Sequence, residues 1–251
     1  MKKLLWFILP IIVASIIWEF ISRSGFVNVS LFPPPTKVLV ALWGMIISGT
    51  VFSDLRDSVW RLLLGLTIGS AAGVIIGMVT GRIKSAAKVF NPIIQILRPL
   101  PPVAIIPLII VWFGIDDGAK IFSIAFAVFF PVWINTYIGV QQIPQTFLWS
   151  ARLFAVSRFK MFREVIFPAS LPFIISGIRT AIAIGFVMVF VSELSGASSG
   201  LGYRISISSL SYRIDQMIAA LIVLGALGAL TDQLFVFATR KLFPWLKLSS
   251  K

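Results

Sequence analysis

The 251-residue chain is 58% hydrophobic and 12% charged with a formal charge of +13, and so few polar side chains cannot coat a soluble globule. It has no Cys and no His, which excludes disulfides, thiolate metal sites and cysteine nucleophiles and removes the usual proton shuttle and the commonest metal ligand. Its basic residues fall in short loops between apolar runs rather than on one face, a positive-inside pattern and not the footprint of a nucleic-acid binder.

In chain order, Met1-Lys2-Lys3 precedes an apolar run from Leu4 to Ile21. The run is longer than a signal-peptide core, contains Pro10 and ends in Trp18-Glu19-Phe20 without a small-x-small cleavage site. It is expected to be a retained first span running from inside to outside. Residues 23–57 then form an external segment in which Pro33-Pro34-Pro35 cannot continue a helix and Thr36 is a candidate N-cap. Val38 to Ile47 is apolar but too short to span. It fits a helix along the outer interface or a linker with one helical turn.

The second expected span, about 58–80, carries Gly65, Gly69, Gly73, Gly77 and Gly81. A glycine at every fourth position makes a groove into which another backbone fits closely. Each interior glycine costs a helix roughly 1 kcal/mol against alanine, so the row reads as a packing spine, with ligand contact as the alternative use. Arg82, Lys84 and Lys88 mark a cytoplasmic turn.

The third span is expected from near Asn91, with Pro92, Pro99, Pro101, Pro102 and Pro107 denying its first half a regular helix. Broken helices are tolerated in membranes where they face protein or water, so Arg98 either lines the inner mouth of a path or snorkels to lipid phosphate. Gly114 to Gly118 is read as an external turn and 119–138 as the fourth span, with Asn135 as a polar path or helix-packing residue near its inner end.

Trp149 to Pro172 is the longest basic segment between apolar runs, carrying Arg152, Arg158, Lys160 and Arg163 against one acid, Glu164. It is expected in the cytosol. Leu153, Val156 and Phe159 to Met161 recur at helical spacing, and Pro168 with Pro172 is expected to prevent a long continuation. From the residues alone this is either a docking helix or a plain basic loop.

Phe173 to Val191 is the expected fifth span, with Arg179 inside it. Ser192 and Glu193 end it on the outer side, where Glu193 reads as a gate or partner contact or as an exposed interface carboxylate. Residues 196–214 are expected to be a loop with a short helix. Gly200-Leu201-Gly202 is no phosphate loop, because no GK[ST] pattern follows it. Met217 to Ala238 is the sixth span, and Arg240, Lys241, Lys247 and Lys251 hold the tail inside. On this layout thirteen basic residues fall in inner segments and seven in outer segments and borders, which puts both termini in the cytosol.

The segment from Trp149 resembles the cytoplasmic "EAA" loop of bacterial ABC-importer permeases, in the form E-A-A-R-x-L-G-A-S-x(7)-V-x-L-P-x-A-L-P of the nitrate/sulfonate/taurine branch. Ala151, Arg152, Ser157, Val165, Pro168, Ala169, Leu171 and Pro172 match it, whereas Trp149 replaces the acid and Ala155 the loop glycine. Ala155 therefore implies a turn that an L-residue can adopt, or some strain. The stretches Arg98–Gly114, Asp116–Phe122, PVWIN at 131–135 and SELSGASSGLGY at 192–203 resemble the same branch over about residues 31–247, with the middle third most similar to aliphatic-sulfonate permeases.

The resemblance implies an all-α polytopic membrane protein of about six transmembrane helices with the type I ABC importer permease fold. Residues 1–57 would hold the first span and external segment, 58–240 the permease core with a coupling loop at about 141–172, and 241–251 a cytoplasmic tail. It implies coupling to an ATPase through Trp149, Ala151, Arg152, Leu153, Ala155, Val156, Arg158 and Phe159. Arg98, Asn135, Arg179, Ser192 and Glu193 are the candidate translocation-path residues.

The chain would be a bacterial inner-membrane transport subunit and not an enzyme, binding no cofactor or metal of its own, with ATP and Mg used by partner ATPases. A second permease copy and a periplasmic or lipid-anchored binding protein would complete the transporter. The implied substrate is a small anion of the sulfonate, nitrate, taurine or bicarbonate class, with an uncharged vitamin precursor also open. The alternative is an ion-coupled secondary transporter or channel subunit, which predicts repeated halves and intramembrane carboxylates; no repeat is visible and acids are sparse.

Overall fold

The computed structural model describes residues 2–154 and 157–245, whose regular structure is helical throughout. Eleven α-helices follow in order: α1 (Lys2–Arg23), α2 (Pro35–Ile47), α3 (Thr50–Arg82), α4 (Lys84–Leu97), α5 (Pro102–Phe113), α6 (Asp117–Gln141), α7 (Gln145–Leu153), α8 (Arg158–Met161), α9 (Phe167–Leu194), α10 (Leu201–Leu210) and α11 (Ile214–Leu242). A π-helical turn, Phe162–Ile166, joins α8 to α9.

Among the described residues four helical runs are long and apolar enough to cross a membrane: α3, α6, the continuous Arg158–Leu194 and α11. The pair α4 and α5, bent by 100° at its break, makes a fifth if counted as one crossing. The expected first span falls on α1, whose opening side chains lie outside the described set.

The centre is α3 packed on α6. A Cβ added at Gly65 would lie 2.6 Å from Ile124 Cβ, at Gly73 2.9 Å from Val132 Cβ, at Gly77 2.7 Å from Thr136 Cβ and at Gly81 2.7 Å from Val140 Cβ, while one at Gly69 would strike the Ala125 backbone. Both sequences advance together, so α3 and α6 run parallel. Their connection has to return across the layer, and α4 with α5 does this. Helix α9 runs antiparallel on the other side of α6, where Gly139 receives Phe173 and Gly177 receives Pro131, Val132 and Asn135. The core between these helices is Leu62, Ile106, Ile124, Val128, Val132, Ala181 and Met188.

The structure corrects four expectations. The helix that carries the second span begins at Thr50 rather than near 58, its added turns holding Asp54, which is bonded inside the protein as described below, and exposed Arg56. The expected turn at Lys84–Lys88 and irregular start of the third span are instead the regular helix α4, with Pro92 inside it. One missing donor does not end that helix, whereas Pro99, Pro101 and Pro102 together do. Pro168 and Pro172 do not stop the basic segment from running into the membrane: Pro168 sits in the first turn of α9 and Pro172 within it. The carbonyl of Glu164, whose α-helical donor would be the absent N–H of Pro168, lies inside the π-helical turn, where bonding shifts by one residue. Finally, Thr36 is not a cap. Pro34 is the N-cap of α2, and the Thr36 N–H donates to Glu19 Oε2 of α1 at 3.1 Å.

Gly69→Ala is expected to lower stability by about 2 kcal/mol through overpacking, while Gly225→Ala, facing open space, is expected to gain about 0.5–1 kcal/mol of helix propensity. Thermal unfolding midpoints of the two variants in detergent check the contrast.

Candidate functional site

The helical bundle has two ends, and each carries a distinct constellation. At the α7 end, Leu148 and Ala151 point inward and pack with Met78, Val140, Ile143, Met161 and Ile166. This anchors a nine-residue helix whose other face is free. Trp149, Leu153 (85% exposed), Phe154 (82% exposed) and Phe159 stand outward, with Arg152 and Arg158 beside them. Ser157 opens α8 by accepting from the Lys160 N–H at 3.3 Å. Of the expected coupling residues, Trp149, Arg152, Leu153, Arg158 and Phe159 thus share the exposed ridge and Ala151 holds its base, while Ala155 and Val156 lie outside the described residues. The single expected helix from 149 is two helices, α7 starting at Gln145 and α8 at Arg158. Phe154, absent from the expected set, is among the most exposed side chains of the ridge.

At the opposite end, the first turn of α10 is held by side chains from other helices. The Gly200 N–H donates to Asp54 Oδ1 at 3.1 Å, the Leu201 N–H to Ser58 Oγ at 2.9 Å and the Gly202 N–H to Glu193 Oε2 at 2.8 Å. Helix N-termini leave such donors unsatisfied, and here α3 and α9 supply the acceptors. Arg61, 3% exposed, bridges Glu193 Oε1 at 2.7 Å, Asp117 Oδ1 at 2.8 Å and the Ser199 carbonyl at 2.7 Å. Arg204 pairs with Asp54 at 2.7 Å, and Lys120 donates to the Ile115 carbonyl at 2.6 Å.

The glycines are required here. Gly200 has φ +117°, and a Cβ at either Gly200 or Gly202 would meet the Glu193 side chain. Glu193 is therefore not an exposed interface carboxylate: it is 1% exposed and bonded to Ser58, Arg61 and the Gly202 N–H. Ser192 is likewise buried, its hydroxyl donating to the Val189 carbonyl at 3.1 Å.

The other candidate path residues separate. Arg98 lies in the break between α4 and α5 and lines a cavity of about 470 Å³ with Asn91, Gln95, Trp133 and Tyr137. Asn135 donates to the Pro131 carbonyl at 2.8 Å and packs on Gly177, between α6 and α9. Arg179 makes a two-pronged ion pair with Asp232 of α11, Nε to Oδ1 and Nη2 to Oδ2, both 2.8 Å.

Sequence reasoning did not single out Asp54, Ser58, Asp232 or Phe154, and counted Arg61 and Arg204 only among the outer and border charges. A signal for the first group existed: Asp54, Ser58 and Arg61 recur at i, i+4 and i+7, one face of a helix. Asp232 was legible as the single carboxylate inside the last apolar run. Their partners, more than 130 residues away for the Ser58–Glu193 contact, were not.

Arg61→Leu strands a buried carboxylate and is expected to cost about 3–5 kcal/mol. Adding Glu193→Leu is expected to recover only part of that loss, since it removes the stranded charge but leaves the Gly202 N–H and Ser58 hydroxyl without their acceptor. Folded yield and unfolding midpoint of the single and double variants in detergent measure the coupling.

Comparison with known proteins agrees with this architecture. Residues 69–244 match the family model described as binding-protein-dependent transport system inner membrane component. The putative aliphatic sulfonates transport permease protein SsuC of Bacillus subtilis (strain 168) is 36% identical, the alignment covering 98% of this chain and 87% of that protein. The nitrate import permease protein NrtB of Leptolyngbya laminosa is 31% identical over 84% of this chain and 78% of its own length. A crystal structure of an amino acid ABC transporter with histidines shares the fold, with a TM-score of 0.63 at 20% identity over 82% of this chain and 98% of that one. The MetNI methionine ABC transporter in inward-facing form does so with a TM-score of 0.61 at 20% identity, over 76% of this chain and 94% of its own. The chain belongs to the binding-protein-dependent transport system inner membrane component family, as an ABC-importer permease subunit with the type I fold and no enzymatic activity of its own.

Proposed function

We propose that this permease forms, as a pair of identical copies, the inner-membrane path of an ATP-driven importer for a small anion of the sulfonate, nitrate, taurine or bicarbonate class. The α7 end faces the cytosol: Arg82, Lys84, Lys88, Arg152, Arg158, Lys160, Arg163, Arg240 and Lys241 gather there, as the positive-inside rule requires. Both termini are then cytoplasmic, and the α10 end meets the binding protein.

The observation that carries the reading is the exposed ridge of Trp149, Leu153, Phe154 and Phe159 on a base fixed by Leu148 and Ala151. Apolar side chains held rigidly in the cytosol mark a protein contact, and a short helix entering a groove of a separate ATPase fits them. ATP and Mg are used there and not by this chain. Because α8, the π-helical turn and α9 form one continuous run, a push on the ridge reaches the membrane-spanning part of α9 directly. The anion class is supported by the relatives named for aliphatic sulfonates and nitrate.

Leu153→Asp and Phe154→Asp are each expected to weaken ATPase association by about tenfold or more and to abolish ATP-dependent uptake, with membrane insertion unchanged. Ala155→Asp is expected to do the same. Co-purification of the ATPase and uptake into proteoliposomes measure this. Uptake driven by an ion gradient without any ATPase would overturn the reading in favour of a secondary transporter.

A further inference from the structure

The ion pair of Arg179 and Asp232 sits where a membrane protein ordinarily places no exposed charge. Gly177, two residues before Arg179, packs on Pro131 and Val132 of α6, and Val132 meets Gly73 of α3. Gly73 is the middle of the Gly65–Gly81 row, so Arg179 lies near the centre of the spanning layer. At that depth ionisable groups face the protein interior or water, because lipid does not solvate them. Yet the Arg179 side chain is 53% exposed and that of Asp232 39% exposed.

The exposed face continues along α9. Ser176, Arg179, Thr180 and Ala183 are exposed at helical spacing, and Thr180 is satisfied within its own helix by the Ser176 carbonyl at 3.1 Å. From Ser176 to Ala183 this strip is small and polar with a guanidinium at its middle, and exposed Val187 follows at the next helical step. Only Nε and Nη2 of Arg179 are engaged with Asp232, and its outward donors meet no protein acceptor among the described residues. A guanidinium carries five donors in one plane, so the edge away from Asp232 stays able to bind a second oxyanion while the first holds it in place.

We infer that the Arg179 face of α9 lines the aqueous path and that the outward edge of Arg179 recognises the negatively charged group of the transported oxyanion, with Asp232 as its positioning residue. The inference rests on the anion-import reading above and assigns its selectivity to one side chain. The standing Asp232 carboxylate keeps the pair neutral and the anion weakly held, as a path site needs if its ligand is to leave.

Two experiments on the assembled transporter test this, with ethanesulfonate as the probe. The pair Arg179→Gln with Asp232→Asn keeps hydrogen-bonding side chains on both helices while removing the guanidinium. Loss of a charge-assisted contact is expected to reduce ATP-dependent uptake by about tenfold or more, with assembly retained. Uptake within about twofold of the unmodified protein would overturn the role of Arg179.

The chain has no native cysteine, so Ser176→Cys reports access directly. Labelling by a charged, membrane-impermeant thiol reagent, slowed by ethanesulfonate, is the expected result. No labelling in any nucleotide state would mean that lipid or the second copy covers this face, and would overturn the inference. An unmodified transporter that moves none of the anions would instead overturn the anion-import reading, and the labelling result would still report whether the face is wet.

Discussion

Close, parallel contact between α3 and α6 is the constraint on which the rest of the molecule depends. In lipid no hydrophobic effect drives helices together, so association rests on how closely backbones approach. The row from Gly65 to Gly81 removes every Cβ that would hold α6 away. Because the two helices run the same way, the chain between them has to cross back, and it does so through a pair bent by 100°. The break places Arg98 beside Trp133 and Tyr137 of α6. Antiparallel α9 then closes on the second face of α6 through Gly139 and Gly177.

This core separates two ends with opposite physical character. One end buries charge: Arg61, Glu193, Asp54 and Arg204 are paired with one another and with the opening turn of α10. Paired, hydrogen-bonded charges of this kind fix geometry more than they stabilise, and they lock α10 onto α3 and α9. The other end exposes apolar surface on α7 and around α8, which no described residue covers. A rigid clasp at one end and an uncovered ridge at the other suit a subunit that is moved from one side and meets its cargo from the other.

The continuity of α8, the π-helical turn and α9 links the two ends. A proline would ordinarily end the helix near Pro168. The π-helical turn absorbs the missing donor, so one helical run leads from Phe159 into the helix that bears Arg179 and, at its far end, Glu193. Small shifts at one site become discrete rearrangements elsewhere because packed interfaces do not deform continuously.

Much of this was legible in the residues alone. Composition determined the membrane environment, since 12% charge cannot solvate 251 residues. The run of Lys and Arg marked the segment that carries the exposed ridge, the four-residue glycine period marked the packing helix, and the motif resemblance identified the family. These are local properties, written in composition and short periods. What the tertiary structure alone decided are the pairings between distant segments: Glu193 with Arg61 and Ser58, Arg179 with Asp232, and the capping of α10 by three side chains from elsewhere. It also decided that Pro168 and Pro172 lie within a continuous helical run. A charged or helix-breaking residue reads as a boundary when only its neighbours in sequence are known. Whether it is one depends on a partner brought close by packing, and no local pattern encodes that partner.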